Sequence, residues 1–136
     1  MRIPALSAAV AVVAATLAGG AAPAAATTAA SSVDLEAGAG LHHSSATVTY
    51  ERVDGAANAV KVLLVEANAG EHDCVWVEWN DPDDGWTSLN SEPPCNGGGL
   101  VEAPNLTIKA PKGHPLKVRL AAFHGSELVH KDIEKL

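Results

Sequence analysis

Tryptophans, cysteines, histidines and one acidic run are the residues of this 136-residue chain with chemistry to offer. Trp76, Trp79 and Trp86 fall within eleven residues and are three of its five aromatic side chains. An indole is a large rigid face with one polar N–H, suited to core packing or to a platform for a sugar or a protein partner. At strand spacing Trp76 and Trp79 point to opposite sides, so both cannot be core. The six residues Asn80–Gly85 separate Trp79 from Trp86. A loop of that length predicts a Trp79–Trp86 core pair across a hairpin, with Trp76 packed on a disulfide or a loop. The competing expectation is that at least one of the three is an exposed binding platform.

Cys74 and Cys95 are the only cysteines. No C-x-x-C motif occurs, and no further Cys or His stands at zinc spacing, so a structural disulfide is expected. With 20 residues between the two cysteines, the chain-entropy model assigns it roughly 3 kcal/mol. Asp81, Asp83 and Asp84, close to Glu78 and Asn80, make the densest acidic cluster. Oxygen ligands in a loop suit calcium. The spacing is not that of a twelve-residue EF-hand loop, and Pro82 with Gly85 marks a turn. A polar turn is therefore the expectation and a weak calcium site the alternative.

The histidines offer no metal spacing: H-x-H, H-x-x-H and H-E-x-x-H are all absent. His42 and His43 point apart in extended chain, His72 precedes Asp73, and His124 and His130 lie six apart on a hairpin. Ordinary surface histidines and no cofactor are expected. A G-x-S-x-G nucleophile elbow is absent, and no lysine or helix follows Gly97-Gly98-Gly99 as a phosphate loop requires. Sixteen acidic residues single out no glycosidase pair. The chain reads as non-catalytic.

The elements that position these residues are strands. From Ala46 polar and apolar residues alternate; Val60–Val65 is apolar on both faces, as a central strand requires. Cys74–Trp79, Trp86–Leu89, Leu106–Ala110 and Leu116–His124 continue the pattern, separated by Gly, Pro, Asn and Asp. Residues 91–104 carry three prolines and three consecutive glycines and read as irregular. Gly125-Ser126 predicts a two-residue turn that sets Arg119 opposite Asp132, Val118 opposite Ile133 and Ala122 opposite Val129. No apolar stripe of helical period lasts three turns. Residues 46–136 are therefore expected to form a small antiparallel β-sandwich, immunoglobulin-like in the loose architectural sense, with a small open β-barrel as the alternative.

Residues 1–26 read as a secretory signal peptide. Arg2 precedes an eleven-residue apolar run, Ala8–Ala18, and Ala24-Ala25-Ala26 forms a cleavage site. Residues 27–45 are expected to be a flexible leader with a short strand at Val33–Ala37. Without Arg2 the balance is 8 basic against 16 acidic residues, the wrong sign for nucleic acid or an anionic membrane. The expected function is an exported, non-catalytic module that binds a protein or a polysaccharide outside the cell. Its working surface is expected on the 79–86 hairpin and the 91–104 segment. The alternative is a proteinaceous inhibitor of a secreted hydrolase, using the disulfide-braced segment 80–94.

Overall fold

A computed structural model of the chain describes residues 29–56 and 58–136. The signal segment 1–26 and its cleavage site lie outside the described residues. Among the described residues nine strands follow one another: β1 (Ser31–Ala37), β2 (Ser44–Arg52), β3 (Ala59–Asn68), β4 (Cys74–Asp81), β5 (Gly85–Ser88), β6 (Gly99–Glu102), β7 (Leu106–Lys109), β8 (Lys117–His124) and β9 (Glu127–Lys135). They form two antiparallel sheets. Sheet I has the order β1-β2-β3, with β6 and β7 both paired to the free side of β3; sheet II has the order β5-β4-β8-β9. The result is the expected all-β sandwich with one disulfide. No described ladder joins the sheets into a barrel. Among the described residues no helix is long and apolar enough to cross a membrane.

Period-two alternation builds the core. Val48 and Tyr50 of β2, Val75, Val77 and Trp79 of β4, and Val118, Leu120 and Ala122 of β8 are all buried between the sheets. β3 sits centrally, as its two apolar faces require. Full burial of a Val or Leu side chain contributes about 1.5–3 kcal/mol. The bridge therefore supplements a core that is much larger in sum.

Three expectations change. Residues 31–45 are not a flexible leader: the strand expected at Val33–Ala37 forms, begins at Ser31, and pairs along its whole length with β2, from Ser31↔Tyr50 to Ala37↔Ser44, because Leu35 and Ala37 alternate into the core. Residues 91–104 are not one irregular segment either. Gly99–Glu102 pairs with β3, and a Cβ at position 99 would meet Asn68 Oδ1 at 2.7 Å. The glycine that reads as a strand breaker begins a paired strand, and a side chain there would have to displace only the Asn68 amide.

The third change is in the last hairpin. Its tip is as expected, with His124↔Glu127 and Phe123↔Leu128 paired and Gly125 at φ 64°. A bulge at Val129 then shifts every later pair, so that Ala122 faces His130, Leu120 faces Asp132, Arg119 faces Ile133 and Val118 faces Glu134. β9 is an edge strand, and what it meets at the seam between the sheets decides the register. Asp132 is turned inward, where its Oδ2 accepts the backbone N–H of Glu36 on β1 at 3.0 Å. That bond satisfies an edge donor that cross-strand matching within the hairpin does not take into account.

Candidate functional site

The hairpin between β4 and β5 is tighter than the expected six-residue loop. Asp81 pairs with Gly85, Asn80 with Trp86 and Trp79 with Thr87. This one-residue offset separates the predicted tryptophan pair. Trp79 points into the core at 9% exposure, with its Nε1–H buried and unpartnered. Trp86 points outward and is half-buried, as is Trp76. The core pair does not form; Trp76 and Trp86 share the outward face of sheet II.

Between these indoles lies an ion pair. Glu78 and Arg119 are cross-strand partners, joined by Arg119 Nε donating to Glu78 Oε1 at 2.8 Å with both side chains only 13% exposed. The guanidinium reaches across β4 and sits 4.6 Å from the centre of the Trp86 ring, a cation–π contact. Ala121, the cross-strand partner of Trp76, is fully buried although it faces outward. Strand geometry puts the two indoles roughly 14 Å apart on this face.

The acidic run serves the turn. Asp81 Oδ1 accepts the Asp83 N–H at 2.9 Å, Pro82 presets φ, and Gly85 has φ 76°. Among the described residues, Asp81, Asp83 and Asp84 included, no group of three or more acidic, His or Cys side chains is arranged to hold a metal. The expected working surface is divided. The 82–84 turn is at one end of β4 and Cys95 at the other, about 23 Å away. Residues 89–96 lie along β4: Leu89 N–H donates to Val77 O, Val77 N–H to Asn90 Oδ1, Val75 N–H to Pro94 O and Asn96 N–H to Asp73 O. Cys74 and Cys95 face each other in an isolated antiparallel bridge and are joined by the expected disulfide.

A second cluster lies at the disulfide end, where no motif pointed. His42, Asp73, His124, Val129 and His130 line a cavity of about 240 Å³. Asp73, in the connection before β4, is 1% exposed. Its Oδ2 accepts from His42 Nδ1 at 3.2 Å. Its Oδ1 has no hydrogen-bond partner and is 3.9 Å from His124 Nδ1. His124 Nδ1 donates to the His72 carbonyl at 3.0 Å. The His42 ring centre is 6.4 Å from those of both His72 and His130.

Local sequence explains how His42 arrives there. It ends a 3-10 turn, Gly40–His42, between β1 and β2. A Cβ on Gly38 would collide with the His42 carbonyl, and one on Gly70 would meet the His42 carbonyl carbon at 2.6 Å. Two glycines thus admit the backbone of residue 42, and Glu71 N–H donates to Leu41 O at 2.6 Å beside it. The bulge at Val129 adds His130: an unbroken register from the turn would have turned its ring outward. Comparison with known proteins assigns neither cluster, since no family model, curated protein or solved structure matches the chain.

Proposed function

We propose that the chain is an exported, non-catalytic binding module whose outward face of sheet II takes a neutral polysaccharide. The carrying observation is the placement of Trp76 and Trp86 on one strand-built face, with the Glu78–Arg119 pair between them. Indole faces stack on sugar rings, and the remaining guanidinium N–H groups and carboxylate lone pairs suit hydroxyls. The pair neutralises itself, so the ground between the two indoles carries no net charge; Lys117, Lys131 and Lys135 lie further along the same face, towards β9. Arg119 holds Trp86 in place from above, which lowers the ordering cost of binding. Export is part of the same reading, supported by the signal-like segment 1–26 and by the disulfide. Residues 89–96 lie flat against β4 where an inhibitor needs a protruding loop, which disfavours the inhibitor alternative.

The test is retention of the folded protein on microcrystalline cellulose, chitin and purified cell wall. Trp76→Ala and Trp86→Ala should each reduce retention severalfold, whereas Thr49→Ala, on the outward face of sheet I, should not. Retention on none of these materials, or retention that survives both tryptophan substitutions, would overturn the reading.

A further inference from the structure

We infer that the disulfide end binds one late first-row divalent transition-metal ion through the imidazoles of His42, His124 and His130, with Asp73 orienting the His42 ring. The three rings come from three separate segments: the 40–42 turn, the end of β8 and the bulged part of β9. Two of them are brought to the cavity by specific backbone devices, and His124 by its place at the end of β8. Gly38 and Gly70 admit residue 42, and the Val129 bulge turns His130 to the inward side. Bulges commonly re-aim a side chain in this way.

Asp73 is the second, independent observation. A carboxylate at 1% exposure with one oxygen unpartnered is costly unless positive charge is placed beside it. Asp73 lines the same cavity as the three histidines. The hydrogen-bond partners also assign the tautomers. His42 Nδ1–H donates to Asp73 and His124 Nδ1–H to the His72 carbonyl, which leaves the Nε2 lone pair of each free to ligate. A carboxylate or carbonyl behind a ligating imidazole is the usual outer arrangement of zinc sites. Nitrogen donors favour Zn2+, Cu2+ or Ni2+ over Ca2+ or Mg2+.

Among the described residues no three donors already stand around one point; the ion has to draw the rings in. For His42 and His130 the movement required is small. Two imidazoles on one tetrahedral ion have ring centres roughly 5 Å apart, and those of His42 and His130 are 6.4 Å apart. His42 and His124 are half or more exposed, at 50% and 66%, so an ion reaches both rings from solvent.

The experiment is titration of the full, tag-free protein with Zn2+, followed by calorimetry and by thermal melting. One ion per chain is expected, with an upward shift in melting temperature. His42→Gln and His130→Gln should each weaken binding more than tenfold, as befits loss of a ligand, and Asp73→Asn about 10–100-fold, as found for outer-shell partners. His114→Gln, at the opposite end of the sandwich, should bind as the parent does. The two ligand variants keep the test decisive if Asp73→Asn does not fold. Absence of binding, or binding unchanged in His42→Gln and His130→Gln, would overturn the inference. Trp76→Ala should leave zinc uptake intact, so this site and the polysaccharide face fail or stand separately.

Discussion

The outward face of sheet II and the disulfide end reach their order by different means. Trp76, Glu78, Trp86 and Arg119 occupy adjacent positions on three paired strands, so a strand register alone places them. His42, Asp73, His124 and His130 lie on a 3-10 turn, a connection, a strand end and a bulge, and none is a cross-strand partner of another. The face is a property of regular structure and tolerates change in its side chains. The pocket depends on backbone exceptions, among them Gly38 at φ 79° and His72 at φ 68°. Substituting side chains should therefore probe the face, and altering the backbone should probe the pocket.

The largest effect should come from beneath the face. Trp79→Ala, in the core, should cost about 3–5 kcal/mol in urea unfolding. Trp86→Ala, on the other side of the same hairpin, should cost only about 1–2 kcal/mol, since it loses mainly partial burial and a cation–π contact. Equal losses would show that the two indoles share one environment. Cys74→Ala should follow at about 2–5 kcal/mol, with the 89–96 segment gaining amide exchange before the face does.

Two smaller substitutions separate the regions more sharply. Gly70→Ala should cost about 1–3 kcal/mol, as overpacking does, because the new methyl meets the backbone of His42. Its chemical-shift changes should centre on residues 40–44 and 70–73, and zinc uptake should fall. Glu78→Gln should cost a similar 1–3 kcal/mol through one charge-assisted hydrogen bond. It should change Trp86 fluorescence by releasing the guanidinium over the ring, and leave zinc uptake unchanged. Each substitution disturbing the other region would show the two to be coupled.

The same contrast explains what could be read in advance. Strand alternation is a local, repeated signal, so β2, β3, β4 and β8, the sandwich and the opposite facing of Trp76 and Trp79 were all legible. The Trp79–Trp86 pair was misplaced by a turn length: a three-residue turn and a six-residue loop give opposite facing to the same residue. β6 was obscured because it is short and begins on glycine, acquiring its strand character from β3; of β1, Val33–Ala37 was legible but its pairing with β2 was not. The histidine pocket had no linear signal at all. Its members are separated by up to 88 residues, from 42 to 130, and are joined by two glycine contacts and a bulge that no spacing rule encodes. Gly38 and Gly70 were the available clue, as glycines beside chemistry-bearing residues, but a glycine does not name the backbone it admits.

The smallest expected effect tests the bulge itself. Deleting Val129 removes the extra residue while leaving His130 opposite Ala122, Asp132 opposite Leu120 and Ile133 opposite Arg119. The Glu36–Asp132 bond survives, and Leu128 still pairs with Phe123. What is lost is a local kink and a side chain 37% exposed that forms one wall of the cavity, so stability should stay within about 0.5 kcal/mol, as for most surface changes. Backbone shifts of residues 130–135 should hardly move, and zinc uptake should persist with at most a modest change. If the hairpin instead ran unbulged from its turn, as side-chain matching alone suggests, the same deletion would turn residues 130–135 over, face for face. Ile133 would leave the inward side for solvent and Asp132 would replace it. Large shift changes across β9 and a loss of several kcal/mol would then follow, and the inward placement of His130 on which the pocket depends would be wrong.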